Sequence, residues 1–325
     1  LEKAAESARN YDGTGLSLLE MSHRGPEFTE ILHHAVQRVF DLTGLGDDYA
    51  VLYLSGGAST QFFMAPMNLL PQNGKAAYLN TGRWADKAID EAKMFGSVDI
   101  LADSKASNFD HIPKGYEINE HYNYLHYTSN NTVSGSQFHE LPSQDQSLIC
   151  DMSSDIFSRP LEFNKFDLIY AGAQKNLGPA GTTLVIIRKD ILGKVKRAIP
   201  TMLDYRTHIK KNSSFNTPPV FPIYVCMLTM DWIIEKGGLL SMKQRNEDKA
   251  QLLYSEIDRN ALFEGIVAKE DRSLMNATFN LKNNDSLPEF LEKAKAAGCV
   301  GLKGHRSVGG LRASMYNAME IESVQ

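Results

Sequence analysis

Seven short apolar runs, separated by helical or loop stretches, constrain the fold of this chain more than any other feature. One intervening stretch, residues 84–95, has a helical pattern. Strands that alternate with helices are typical of a mainly parallel sheet covered on both faces. We therefore predict an α/β fold whose large domain has a seven-stranded, mainly parallel sheet flanked by helices. The predicted strands are residues 50–54, 76–79, 98–101, 124–127, 147–150, 168–170 and 183–187.

The clearest helix prediction covers residues 26–43. Pro26 suits a first helical turn, and Gly44 suits a helix end. Between them, apolar residues recur at helical spacing and define one buried face. That face comprises Phe28, Ile31, Leu32, Ala35, Val36, Val39 and Phe40.

The pattern of predicted helices and strands changes from about residue 237. A long polar helix is predicted at 239–258, followed by a strand at 275–281, a helix at 287–297 and a strand at 311–314. We predict a large domain at residues 1–240 and a smaller C-terminal α+β domain at 241–325. This division leaves open that the first residues of the chain pack with the small domain.

Polar residues follow several of the predicted strands directly. Lys175 comes just after the run at 168–170, and Asp151 ends the run at 147–150. The carboxyl ends of parallel strands meet at one edge of a sheet, where ligands gather. A lysine for a Schiff base and a carboxylate for a pyridinium nitrogen are the groups that pyridoxal phosphate (PLP) chemistry most needs. A lone lysine after a strand is usually a surface lysine, so the prediction depends on its neighbours.

Two further segments fall at the same predicted edge. The turn Ser55-Gly-Gly-Ala-Ser-Thr-Gln61 could close on a phosphate at a helix start, although a plain tight turn fits it as well. Trp84 opens the next helix and could stack on a flat heteroaromatic ligand. A core or interface tryptophan is an equal alternative.

A basic cluster lies near the C-terminus. His305, Arg306 and Arg312 stand among glycines, and His23-Arg24 forms a second such pair before the first long helix. Arginine binds carboxylate and phosphate bidentately, so the cluster suits a substrate with an anion at each end. The alternative is a solvated basic loop.

Composition excludes several classes of partner. The net charge of −5 gives no reason to expect nucleic acid or an anionic membrane. No apolar stretch approaches the roughly 20 residues that span a bilayer, and no signal peptide is apparent. Three scattered cysteines indicate neither a disulfide framework nor a metal site, so we expect a cytoplasmic protein without a metal. The chain starts abruptly and stops at the approach to another helix, so we expect short missing pieces at both ends.

Taken together, these segments carry a family resemblance over nearly the whole chain. The stretch Ala171-Gly-Ala-Gln-Lys-Asn176 and the stretch Lys303-Gly-His-Arg306 are its most specific parts. The chain resembles the phosphoserine aminotransferase family, the class V, fold-type I PLP enzymes of serine biosynthesis. Further matching segments are residues 10–15, 21–25, 56–58, 82–84, 126–132, 158–160, 216–218 and 307–310.

The resemblance implies a cofactor, substrates and residue roles. Lys175 would hold PLP covalently, Asp151 would pair with the ring nitrogen, and Trp84 would stack on the ring. The substrates would be L-glutamate and 3-phosphohydroxypyruvate, and the resemblance leaves 4-phosphohydroxythreonine open as a further substrate. The enzyme would be a homodimer whose active sites are shared across the interface. Thr132 would bond the phenolic oxygen; the phosphate would be bound by Ala58, Ser59, Gln174 and, from the other subunit, Asn216 and Thr217. Arg312 would bind the α-carboxylate, and His305, Arg306 and the other subunit's His23 and Arg24 the distal anion.

The chain departs from the family pattern in three places. Ser59 follows the paired glycines and Ala58 where the family usually has a glycine, and Asn131 replaces a glutamate. The family's N-terminal Phe-Ser-Ala-Gly-Pro segment is absent from the chain.

Other functions remain as alternatives. Cysteine desulfuration needs a thiol on a mobile loop, whereas Cys150 lies in a predicted strand. Amino transfer to glyoxylate or pyruvate is harder to dismiss, although the second His-Arg pair favours a doubly anionic substrate. A PLP-binding regulator without catalysis normally carries a nucleic-acid or partner-binding module, and we expect no room for one here. A purely structural protein would leave the shared edge of Lys175, Asp151 and Trp84 unexplained.

Overall fold

The computed structural model describes residues 1–143, 145–305 and 309–325. Its main feature is a seven-stranded sheet of order β1-β7-β6-β5-β4-β2-β3. Strands β3, β2, β4, β5 and β6 pair in parallel, whereas β7 runs antiparallel between β6 and β1. The predicted α/β sheet is therefore confirmed. Its strands are β1 (Tyr49–Leu54), β2 (Lys75–Asn80), β3 (Ser97–Asp103), β4 (Leu125–Thr128), β5 (Leu148–Asp151), β6 (Phe166–Gly172) and β7 (Thr183–Arg188).

Helices cover both faces of this sheet. Alternate residues of β1 enter opposite cores: Tyr53 packs with α2 and α6 on one face, and Leu52 packs with α3 and α4 on the other. Two-sided burial explains why the strands read as continuous apolar runs. The helices of the described residues are α1 (Glu2–Ser7), α2 (Pro26–Thr43), α3 (Gly57–Leu69), α4 (Arg83–Ala92), α5 (Tyr205–Lys210), α6 (Val220–Glu235), α7 (Gly238–Arg259) and α8 (Leu287–Ala296).

Helix α2 has the bounds that its sequence predicts. Pro26 occupies the first turn, where its missing N–H costs no hydrogen bond. Gly44 ends the helix in the left-handed conformation, with φ of 68°, and its N–H donates to the Phe40 carbonyl at 2.8 Å. The buried face includes Phe28 and Val39, which pack on the sheet.

A second, antiparallel sheet of order β10-β9-β8 follows α7. It consists of β8 (Phe263–Gly265), β9 (Asn276–Leu281) and β10 (Leu311–Ser314). The strands predicted at 275–281 and 311–314 are confirmed, whereas β8 was not predicted. Helix α7 begins at Gly238, so the proposed domain boundary at residue 240 lies in its first turn. Helix α1 packs against α6.

The topology brings several loops to one edge of the large sheet. Because β1 is antiparallel to β7 and β7 is antiparallel to β6, β1 points the same way as β6. The carboxyl ends of β1, β2, β4, β5 and β6 therefore share an edge. Within residues 1–143, 145–305 and 309–325, no helix has the length and apolar character needed to cross a bilayer.

Candidate active site

Lys175 lies at the shared edge, in the turn that follows β6. The turn is closed by the Gly178 N–H, which donates to the Ala173 carbonyl at 2.8 Å. The Lys175 Nζ donates to the Thr132 Oγ1 at 2.8 Å and stands 5.6 Å from the centre of the Trp84 ring. The structure thus brings together three of the predicted site residues, which are contributed by the segments after β2, β4 and β6.

The environment of Lys175 favours the neutral amine more than water does. Burial lowers the pKa of Lys175 from its ordinary value, and the Arg312 guanidinium lowers it further. The Asp151 carboxylate raises the pKa and partly offsets these effects. A lysine with a lowered pKa is a better nucleophile and base near neutral pH.

Asp151 ends β5 and is buried, with 4% of its surface exposed. The backbone N–H and the hydroxyl of Ser153 both donate to its Oδ1, at 2.9 and 2.6 Å. Burial raises the pKa of Asp151, against the attraction of Lys175 and the Ser153 hydrogen bonds. Within the described residues no hydrogen bond reaches Oδ2, so this oxygen is available to a ligand.

Trp84 sits in the first turn of α4, and Asn131 supports the turn before it. The Asn131 amide packs directly against Gly82, in space that a side chain at position 82 would need. Its Nδ2 donates to the hydroxyls of Thr81 and Ser136, each at 3.1 Å. The asparagine that departs from the family pattern therefore braces the backbone that presents the tryptophan.

Helix α3 presents its N-terminus at the same edge. Gly56 stands at its N-cap with φ of 102°, and no side chain caps the helix. Uncapped N–H groups and the helix dipole make such an end a ready anion site. Ala58 is half-buried and Ser59 is exposed, as is Gln174 in the Lys175 turn.

Arg312, on β10, connects the small sheet to this edge. Its Nη1 donates to the Thr132 carbonyl at 3.3 Å. Its Nε is buried and has no partner among the residues that the structure describes. The guanidinium therefore retains donors for an anionic ligand close to Lys175.

The remaining predicted residues are not joined to this centre. No hydrogen bond or ion pair of the described chain connects His23, Arg24, Asn216 or Thr217 to Lys175. The first two lie in the turn before α2, and the other two precede α6. His305 is half-buried, and its carbonyl accepts from the Gly309 N–H at 2.9 Å. Arg306 lies outside the described residues.

Sequence reasoning missed a second buried carboxylate, Asp155. It accepts hydrogen bonds from the Ser129 hydroxyl at 2.5 Å and from the Gln137 Nε2 at 3.2 Å. Burial raises its pKa. The only available signal was an acidic residue four positions after Asp151, in a segment that otherwise reads as an ordinary turn.

His126 was also missed, although it lies within a quoted segment. Its ring stacks on Tyr78, and its Nε2 contacts the Tyr170 hydroxyl at 2.8 Å. Burial lowers the pKa of His126 to about 3. The imidazole is therefore a neutral part of the core beneath the site.

Comparison with known proteins identifies the class to which this fold and site belong. The family model described as aminotransferase class-V matches residues 1–325. The chain belongs to the class-V aminotransferase family.

Several similar proteins and solved structures are phosphoserine aminotransferases. A phosphoserine aminotransferase of Flavobacterium johnsoniae is 56% identical over 325 residues, which is 100% of this chain and 91% of the relative. That of Parabacteroides distasonis is 54% identical over 327 residues, covering 100% and 92%. A solved structure on radiation damage of the Schiff base in phosphoserine aminotransferase has a TM-score of 0.95 at 47% identity, covering 99% and 92%. The PLP-bound phosphoserine aminotransferase from Trichomonas vaginalis has a TM-score of 0.94 at 37% identity, covering 99% and 93%.

Proposed function

We propose that this chain is a phosphoserine aminotransferase that uses PLP. It transfers the amino group of L-glutamate to 3-phosphohydroxypyruvate and releases O-phospho-L-serine and 2-oxoglutarate in serine biosynthesis. The observation that carries the proposal is the convergence of Lys175, Thr132 and Trp84 at one sheet edge, in a chain 56% identical to a phosphoserine aminotransferase.

The residues present fit the cofactor. Lys175 offers a half-buried amine with a lowered pKa, and Asp151 offers a carboxylate oxygen without a partner among the described residues. The uncapped start of α3 suits the phosphate group. The Thr132 hydroxyl would bond the phenolic oxygen and the Trp84 ring would stack on the cofactor; in support, both lie beside the Lys175 Nζ.

The chemistry divides between the cofactor and the chain. When bound, PLP supplies a ring that accepts the electron pair left when the Cα–H bond of the amino acid breaks. Asp151 would hold the group through the ring nitrogen and keep that nitrogen protonated, and Trp84 would stack on the ring. Lys175 Nζ takes the proton from Cα of glutamate and, in the reverse half-reaction, delivers one to Cα of the new amino acid. Its lowered pKa suits this base role.

Substrate recognition requires two anion sites. Arg312 binds the α-carboxylate that both substrates share, since its Nη1 bonds the Thr132 carbonyl and its Nε has no partner among the described residues. His305 and Arg306 bind the distal carboxylate or phosphate. Several separate cationic side chains can adapt to both a carboxylate and a phosphate better than one rigid pair of donors can.

We propose that a second copy of the chain completes the site. His23 and Arg24 would add to the distal anion site, and Asn216 and Thr217 to the phosphate site. In support, none of these four residues bonds to Lys175 within its own chain, in the part that the structure describes. For location we propose the cytoplasm, because the free thiols of Cys150, Cys226 and Cys299 suit a reducing compartment.

One experiment tests both cofactor and reaction. The visible spectrum of the purified protein is recorded before and after adding L-glutamate, and amino transfer is then measured to 3-phosphohydroxypyruvate and to pyruvate. We expect a yellow protein that is bleached by glutamate and prefers the phosphorylated acceptor. A colourless protein would contradict the cofactor, and a preference for pyruvate would contradict the substrate.

A further inference from the structure

Three asparagines form a buried cluster where the small sheet meets the large one. The asparagine cluster consists of Asn176, Asn246 and Asn317, whose exposed fractions are 6%, 1% and 1%. Buried amides are costly unless their donors and acceptors are satisfied. The cluster therefore represents a specific arrangement rather than incidental polar surface.

Asn317 is the centre of this cluster. Its backbone N–H donates to the Asn176 Oδ1 at 2.9 Å, and its Nδ2 donates to the Phe157 carbonyl at 2.9 Å. Its Oδ1 accepts from the Asn246 Nδ2 at 2.8 Å. One side chain thus donates and accepts at the same time, which an amide can do and an ionised carboxylate cannot.

Each partner of Asn317 belongs to a segment of the candidate active site or to its support. Asn176 directly follows Lys175, and its Nδ2 donates to the Ile156 carbonyl at 2.6 Å. Phe157 lies in the turn after Asp151 and has a positive φ of 54°. The cluster therefore connects the turn that carries the reacting lysine with the turn that follows Asp151.

Asn317 also belongs to the segment that carries Arg312. It stands five residues beyond Arg312 and three residues after the end of β10. The intervening backbone is held by Lys249 of α7, whose Nζ donates to the carbonyls of Met315 and Tyr316 at 3.3 and 2.8 Å. Within the described chain, the path from Arg312 to the Lys175 loop thus runs through buried hydrogen bonds.

We propose that Asn317 is a positioning residue that sets the place of Arg312 relative to Lys175. The inference rests on the proposed function, because it assigns the substrate α-carboxylate to Arg312. Loss of the Asn317 side chain removes the bonds to Phe157 and Asn246 and loosens the exit of β10. A displacement of about 1 Å between a binding group and the reacting group can cost on the order of 100-fold in rate.

The experiment is a single-turnover half-reaction of the holoenzyme with L-glutamate, followed by the loss of visible absorbance. It yields an apparent dissociation constant and a limiting rate. The variants are Asn317→Ala and Asn317→Asp; the aspartate keeps the acceptor for Asn246 and loses the donor to Phe157. Both should keep the yellow chromophore, because Lys175 is intact. In both, the ratio of limiting rate to dissociation constant should fall by about tenfold or more.

Asn68 provides a matched control. It is 2% exposed and makes three comparable hydrogen bonds, with the carbonyls of Met64 and Leu203 and with the N–H of Tyr205. Asn68→Ala should lower the thermal midpoint and leave the half-reaction constants within about twofold of wild type. Equal effects of the Asn68 and Asn317 substitutions on these constants would overturn the inference.

A double substitution tests whether Asn317 acts through Arg312. In an Arg312→Ala background, adding Asn317→Ala should change the constants by less than about twofold, because the group that Asn317 positions is gone. Full additivity would overturn the inference. If wild type itself does not react with glutamate, the proposed function fails. If wild type reacts, Arg312→Ala reacts measurably but more weakly, and the Asn317 variants match wild type, only the positioning role fails.

Discussion

Replacement of Arg312 by lysine keeps the positive charge and removes the forked guanidinium, so it tests the geometry of the donors separately from the charge. In the structure one arm, Nη1, donates to the Thr132 carbonyl at 3.3 Å, and the buried Nε lacks a partner among the described residues. A substrate carboxylate would satisfy Nε together with a neighbouring N–H. Lysine keeps the charge but presents a point donor, so at least one charge-assisted hydrogen bond is lost. Such a bond contributes about 1.5–3 kcal/mol.

That loss corresponds to a fall of roughly 10- to 150-fold in kcat/KM. Steady-state kinetics should show it for L-glutamate and for 3-phosphohydroxypyruvate alike, because both carry the α-carboxylate. Arg245→Lys is the control: this arginine also has a buried Nε without a described partner, but it pairs with Glu320 away from the site. Its variant should stay within about twofold of wild type. Values for Arg312→Lys within twofold on both substrates, or a loss on one substrate alone, would refute the reasoning.

Three further predictions concern the site and the core beneath it. Lys175→Ala should abolish amino transfer and remove the borohydride-reducible chromophore; a variant with normal turnover would end the assignment. Tyr170→Phe leaves the buried His126 Nε2 without its partner and should cost about 1–3 kcal/mol of unfolding free energy, measured in urea. Tyr127→Phe should cost less, because the hydrogen-bond partner of its hydroxyl is the weakly polar Cys150 thiol; equal costs would contradict this. Burial lowers the pKa of Lys249 to about 8. The unfolded chain therefore binds more protons between pH 8 and 10, and stability should rise there by up to about 1.4 kcal/mol per pH unit; Lys249→Met should flatten that slope, and an unchanged slope would argue against it.

The large sheet was predictable because its strands are buried on both faces. A run such as β6 contains only buried residues, so hydrophobicity alone marks it. Strand β8 escaped prediction because it has three residues, none of them fully buried. Helix α6 was not predicted because its own residues are apolar on all faces, so its sequence shows no helical periodicity.

The candidate site was only partly predictable. Lys175, Asp151 and Trp84 directly follow strands or open a helix, and parallel strands bring such positions together. Asn246 and Lys249 lie on a helix that reads as polar, so exposure was the natural expectation, yet both are 1% exposed. Asn317 gave no local signal, because its partner Asn176 is 141 residues away in the chain. Only the folded arrangement shows that polar residues of α7 face inward.

His126 has a consequence for how the enzyme responds to acidity. With its pKa lowered to about 3 by burial and its ring stacked on Tyr78, it is uncharged near neutral pH. We therefore expect an inflection in the rate between pH 5 and 8 to come from a group other than His126. The imidazole therefore acts as an uncharged packing group in the core and does not exchange protons near neutral pH.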